Sequence, residues 1–325
     1  MQTNFQNNQT NPNKTPFGGF FGEMTTAKAS GLAFSLSAFL PAILSFLFLF
    51  VIAALGFTKT EGYEHSDWYL YAAYTIPQLS FALVALVYLR TQNTPVKTAL
   101  KKQKCKLKYF ALALLLQIGL FSLSELNGLF LEFLKRFGYQ DSGIELPSMD
   151  GVGFFGVLFV VAVLPAVFEE IFFRGVLLEG LKRFSTAKTV LLCGALFSLY
   201  HQNPAQTAYQ FCCGAAFALV AIRSGSILPT VLAHFFNNAL ILILTKFSIT
   251  QFPLPALVAI LTVSAFCLVT SLAYLIFIDK NPAQSEDKSE PQIELKSERK
   301  SFWRAASAGI ALCALTWFFN LLGGM

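Results

Sequence analysis

Between Pro165 and Gly175 the sequence reads PAVFEEIFFRG. Two adjacent glutamates and an arginine close a run of apolar residues long enough to cross a bilayer. Each charge at membrane depth costs roughly 2.5–3.5 kcal/mol on insertion scales, so three so close together need a reason. Glu170 and Arg174 stand at i,i+4 with the acid on the N-terminal side, the favourable orientation for a helical ion pair. Glu169 projects about 100° further round the helix and is the less well paired of the two acids. It is the candidate general base or acid, and Glu170 with Arg174 reads as the scaffold. The bland alternative is one buried ion-pair network that holds helices together.

Few other ionisable or amide groups lie inside apolar segments. His201, in FSLYHQNP, follows Phe197 by one turn near the end of its segment. His234 and Asn238, in LAHFFNNAL, are i,i+4 and share a face, while Asn237 turns about 100° aside. Glu125 is the remaining exception. The chain holds only 3 histidines, and two of them are in this set. A His–Asn pair can hold a water, orient a carbonyl or stabilise an oxyanion; it can equally be an interhelical hydrogen bond. No G-x-S-x-G, H-E-x-x-H or pair of aspartates suggests another chemistry. Glu169, His201 and His234 have the donor types of a His₂Glu zinc set, but they sit on separate segments, so spacing does not decide. The inventory favours a water activated by glutamate, with or without Zn²⁺.

The elements that must position these groups follow from composition. Of the 325 residues, 55% are hydrophobic and 13% charged, and the mean hydropathy is +0.57. Soluble domains carry about 25% charge. Apolar segments at approximately 31–57, 68–90, 109–131, 152–174, 189–203, 205–222, 227–245, 254–278 and 303–322 indicate an all-α, polytopic membrane bundle. The expected count is eight to nine transmembrane helices, with the short 189–222 region setting which. The net charge of +6 is no nucleic-acid signal, because the lysines cluster between apolar runs as topology determinants. The 6 cysteines lack C-x-x-C spacing and read as small buried hydrophobes. The loop 90–108, with its lysines, is expected to be cytoplasmic, and the acidic TKTEGYEHSD and 132–151 to lie outside. That places the N-terminus inside. Counted at 1.5 Å per residue, Glu169 and His201 each lie roughly 20 Å from the nearest cytoplasmic charges, and His234 roughly 15 Å. The three would then converge at one level near the midplane.

Read together, Glu169-Glu170-Ile-Phe-Phe-Arg174, Phe197-Ser-Leu-Tyr-His201 and His234-Phe-Phe-Asn-Asn238 resemble the motifs of the CPBP family. That family (also Abi, or CAAX protease and bacteriocin-processing) comprises intramembrane proteases related to the type II CaaX prenyl endopeptidase. The resemblance covers roughly Val152 to Lys246 and implies a glutamate-activated water at Glu169, with His201 as its partner. It also implies an oxyanion side at His234 and Asn238, and supporting roles for Glu170, Arg174 and Phe197. It leaves open whether Zn²⁺ takes part. Composition and motifs together suggest a disordered polar tail 1–29, transmembrane helices in 30–150 and a CPBP-type core 151–250. A helix at 251–278, a charged cytoplasmic linker 279–302 and a final helix 303–325, which the motifs do not require, complete the chain. The expected function is an intramembrane endopeptidase of a bacterial plasma (inner) membrane. Its expected partners are membrane lipid and a peptide or membrane-protein substrate, with no nucleic acid. The alternatives are a non-proteolytic scaffold, a bacteriocin self-immunity protein, or a proton-coupled transporter. The last would show inverted repeats or broken helices.

Overall fold

Why eight segments cross where the apolar runs predict, and one does not quite, is visible in a computed structural model of the chain. It describes residues 20–92, 105–141, 143, 145–249, 251–279 and 292–324. The tail 1–19, the lysine cluster of 93–104 and most of the charged linker lie outside the described residues.

Helix α1 spans Thr26–Ala54 and α2 Asp67–Thr91. A third crossing is built from α3 (Leu107–Leu120), a 3-10 turn and α4 (Ser124–Lys135). The fourth runs from Gly153 to Leu181 as α5 (Gly153–Val157), α6 (Leu164–Glu170) and α7 (Leu178–Leu181), joined by π-helical segments Leu158–Val163 and Ile171–Leu177. Then come α8 (Thr186–Tyr200), α9 (Thr207–Ser224), α10 (Leu228–Lys246), α11 (Leu254–Ala273, extended by a π-turn) and α12 (Gln292–Gly323). Among the described residues eight stretches are long and apolar enough to cross a membrane, and α8 is the shorter apolar helix between them. No strand occurs among the described residues. The protein is a polytopic helical membrane bundle.

Three prolines interrupt these helices, and two have visible compensation. A helical proline supplies no N–H to the carbonyl four residues before it. Pro41 so deprives the Ser37 carbonyl, which instead accepts from the Tyr200 hydroxyl at 2.8 Å. Pro165 deprives Val161, whose carbonyl accepts from Asn238 at 3.0 Å. In a bilayer such repairs must come from protein, because the hydrocarbon offers no donor.

Close helix crossings use small residues. Helices α8 and α9 meet at Gly194 and Gly214, where a Cβ on Gly214 would stand 2.9 Å from the Gly194 Cα. Helix α12 lies along α1: a Cβ on Gly31 would collide with the Phe302 carbonyl oxygen, and Ser35 Oγ donates to the Ala305 carbonyl at 2.7 Å. Such small-residue contacts are how helices associate where lipid is as apolar as leucine. The terminal helix, which the motifs do not require, is thus packed against the first and reaches across to the α8–α9 turn.

Polar side chains also pair at each end of the bundle. The loop before α2 meets the loop before α5 through His65 and Glu145. At the opposite end, Lys108 pairs with Asp279 and Arg183 with Glu298.

Candidate active site

The two adjacent glutamates occupy different environments. Glu170 is fully buried, and its Oε1 accepts from Arg174 Nη1 at 2.9 Å and faces His234 Nδ1 at 3.1 Å. Arg174 is fully buried as well; its Nη2 donates to the Gly214 carbonyl at 3.1 Å, and the guanidinium lies 4.6 Å from the Phe197 ring centre. The glycine crossing of α8 and α9 is what brings that carbonyl within reach, because Phe197 Cβ would stand 2.9 Å from any Cβ on Gly214. The cation is thus held by a carboxylate, a carbonyl and the faces of Phe197 and Phe217.

Glu169, 8% exposed, has no cation beside it. Its Oε1 accepts from Gln78 Nε2 on α2 at 3.1 Å, while its Oε2 is buried without a protein hydrogen-bond partner. Gln78 reaches this carboxylate from 91 residues away along the chain.

Both histidines are oriented through Nδ1. In His201 this atom lies 2.8 Å from the Phe197 carbonyl oxygen. A carbonyl only accepts, so Nδ1 carries hydrogen and Nε2 is the lone-pair atom of the neutral ring. In His234 the acceptor at Nδ1 is Glu170, which turns Nε2 away from that carboxylate. Phe197 stands between them, its ring centre 4.7 Å from His201 and 6.1 Å from His234. The turn that follows His201 is tightly held: Gln202 adopts φ 52°, and Asn320 of α12 donates to its carbonyl at 2.9 Å. Trp317 donates to Thr207 Oγ1 at 2.8 Å just beyond.

The i,i+4 geometry of α10 places His234 and Asn238 against the same crossing, His234 on Glu170 and Asn238 on Val161. Asn237 turns aside, as its position on the helix requires. Its Oδ1 accepts from Gln117 at 2.7 Å and Tyr209 at 2.9 Å, and its amide donates to Asn238 at 3.0 Å. Glu125 does not join the set. The 3-10 turn at Phe121–Leu123 breaks the third crossing, and Glu125 lies exposed in the first turn of α4.

Gln78, Gln117 and Tyr209 are the site residues that sequence reasoning passed over. A search for charge at membrane depth does not find them, since amides and phenols are neutral. An amide within an apolar run, next to Pro77 in the case of Gln78, is the signal that was there to read.

Nε2 of His201, Nε2 of His234 and the unpartnered Glu169 Oε2 are donor types that zinc takes, each histidine backed by an acceptor at its other nitrogen. The geometry differs: among the described residues, no three His, Cys, Asp or Glu side chains group closely enough to hold a metal ion. The set Glu169, His201 and His234, left open as zinc ligands by the sequence, does not close in this arrangement.

Fold and site together define a multi-pass helical membrane protein with a carboxylate–histidine cluster among its helices. Within it, residues 151–240, which contain all three motifs, match the family described as Type II CAAX prenyl endopeptidase Rce1-like. The match supports the CPBP/CAAX protease family and, in general terms, a membrane endopeptidase acting on membrane-associated protein or peptide substrates. No curated protein and no solved structure matches the chain.

Proposed function

We propose that the protein is an intramembrane endopeptidase in which Glu169 activates a water for attack on a peptide carbonyl. The observation that carries this reading is the asymmetry between the two acids. Each acid keeps a buried Oε2 without a hydrogen-bond partner, but Glu170 Oε1 is held by Arg174 and His234, whereas Glu169 Oε1 meets only the neutral amide of Gln78 among the described residues. Scaffolding alone does not require a second, cation-free carboxylate at a site where burial is costly.

The water oxygen forms the bond to the carbonyl carbon as Glu169 Oε2 takes its proton. His201 Nε2 accepts the water's other hydrogen and so orients it. The tetrahedral oxyanion is met by the second amide hydrogen of Asn238, the first being committed to Val161. Nε2 of His234, the ring atom Glu170 leaves free, meets it in the protonated ring. Collapse breaks the C–N bond, and Glu169 returns its proton to the leaving amine. The products are a carboxylate and an amine, and no redox step is involved. The substrate class that the matched family suggests is a protein or peptide with a C-terminal prenylated cysteine motif; membrane peptides without a prenyl group are the second class.

The test is cleavage by purified protein of a quenched fluorogenic C-a-a-X peptide, with and without a prenyl group on its cysteine. Glu169→Gln is expected to lower kcat by about 10²–10⁴-fold, the usual contribution of a general base, while the protein stays folded. Glu170→Gln is expected to act mainly on folding, since it weakens a buried pair. Activity is expected to survive exhaustive chelation. Full turnover by Glu169→Gln, or no cleavage of either peptide, overturns the reading and favours the scaffold or immunity alternative.

A further inference from the structure

Helix α2 lies wholly outside residues 151–240, yet among the described residues it supplies the one hydrogen-bond donor to Glu169. We propose that Gln78 is the positioning residue for Glu169, fixing the plane of its carboxylate so that Oε2 is the oxygen presented to the water. The inference rests on Glu169 being the general base, and it concerns a residue that none of the three motifs contains.

Gln78 is 6% exposed, and its Nε2 lies 3.1 Å from Glu169 Oε1. A carboxylate only accepts, so the amide nitrogen must be the atom facing it. Its location is set by packing on both sides. Pro77 precedes it inside the helix, and Phe81, three residues on and on the same face, stacks on Phe172 at 4.9 Å and Phe173 at 5.7 Å. Those two phenylalanines stand two and three residues after Glu170 in the chain, so the contact that seats Phe81 also sets the register of Gln78 against Glu169.

The residue type has a reason. The terminal torsion of a glutamate is broad and roughly two-fold, so an unanchored Glu169 would present either oxygen. One donor removes that freedom. A lysine or arginine would do so too, but it would turn Glu169 into an ion pair like Glu170–Arg174 and consume the base. A neutral amide anchors one oxygen and leaves the other free. Gln78 is therefore to Glu169 what Arg174 is to Glu170, with the charge withheld.

The experiment uses the full-length protein and the peptide assay above, under single-turnover conditions for the slow variants. Gln78→Met keeps length and volume but removes the donor. It is expected to lower kcat by about 10–100-fold, the range of a hydrogen bond to a charged group, with KM within about twofold of wild type. In the Glu169→Gln background the same change is expected to cost nothing further, because a residue acting through Glu169 has nothing left to position. Gln78→Asn, which retains the amide but withdraws it by one methylene, is expected to repeat the kcat loss and serves if Gln78→Met does not fold. Wild-type kcat in both variants, a change confined to KM, or a loss that adds fully to that of Glu169→Gln overturns the inference. Full activity of Glu169→Gln alone overturns the proposed function instead, so the two failures are distinct.

Discussion

At the scale of single residues, neighbouring glutamates differ because a helix turns about 100° between them. That rotation gives Glu170 to Arg174 and α10, and Glu169 to α2. Burial then magnifies the difference, since a charge out of water is costly unless paired and hydrogen-bonded. Arg174 tests how much depends on this. Arg174→Met removes the cation, the bond to the Gly214 carbonyl and the contact with Phe197 together. Leaving Glu170 uncompensated is expected to cost about 3–5 kcal/mol, read as a fall in the thermal midpoint of the detergent-solubilised protein. Arg174→Lys should recover little, because an ammonium cannot reproduce the planar fork or its stacking. This much was legible early, because the i,i+4 pairing of Glu170 with Arg174 is a local matter. The donor at Glu169 was not legible, because Gln78 lies 91 residues away along the chain.

At the scale of elements, the crossing from Gly153 to Leu181 is not one regular helix. Two π-helical segments interrupt it, one before Pro165 and one spanning Arg174. Such wide turns are rare and recur at functional sites. Here the first accompanies a proline whose missing N–H leaves the Val161 carbonyl to Asn238. Asn238 therefore has a structural duty alongside its proposed one, and the two can be separated. Asn238→Leu is expected to destabilise the protein by about 1–3 kcal/mol, the penalty for an unmade buried hydrogen bond. Adding Pro165→Ala, which restores a backbone donor in the same helix, should recover part of that stability in a denaturation series without recovering turnover. If stability does not recover, the carbonyl is not what Asn238 serves. The sequence displays Pro165 and Asn238 plainly, but a separation of 73 residues hides that one repairs the other. The terminal helix is a like case. Nothing in its apolar run says that Asn320 and Trp317 will hold the turn bearing His201.

At the scale of the whole molecule, the chain has two polar ends and one buried polar level. One end is closed by the loop before α5 resting on α2. Glu145 accepts from His65 Nδ1 at 2.8 Å, and Asp67 accepts from the Ser148 N–H at 2.7 Å. The Glu145 hydrogen bond and charge hold the His65 pKa above its ordinary 6.5. The stabilisation this contact brings is therefore complete below about 6.5 and is lost as pH rises through the raised value. An NMR titration should place the His65 midpoint above 6.5 in the wild type and lower it in Glu145→Gln; an unchanged midpoint would break the link between these two loops. What could be read without coordinates was whatever repeats locally or is forced by the solvent. Apolar runs of bilayer length dictate helices, because hydrocarbon leaves no other way to satisfy the backbone. Charges within such runs mark a site, because they are too costly to be idle. Which groups meet there, Gln78 with Glu169, Asn238 with Val161 and α12 with the His201 turn, was decided by packing. Those contacts join distant segments through neutral side chains, and neutral groups leave no imprint on hydropathy or charge along the chain.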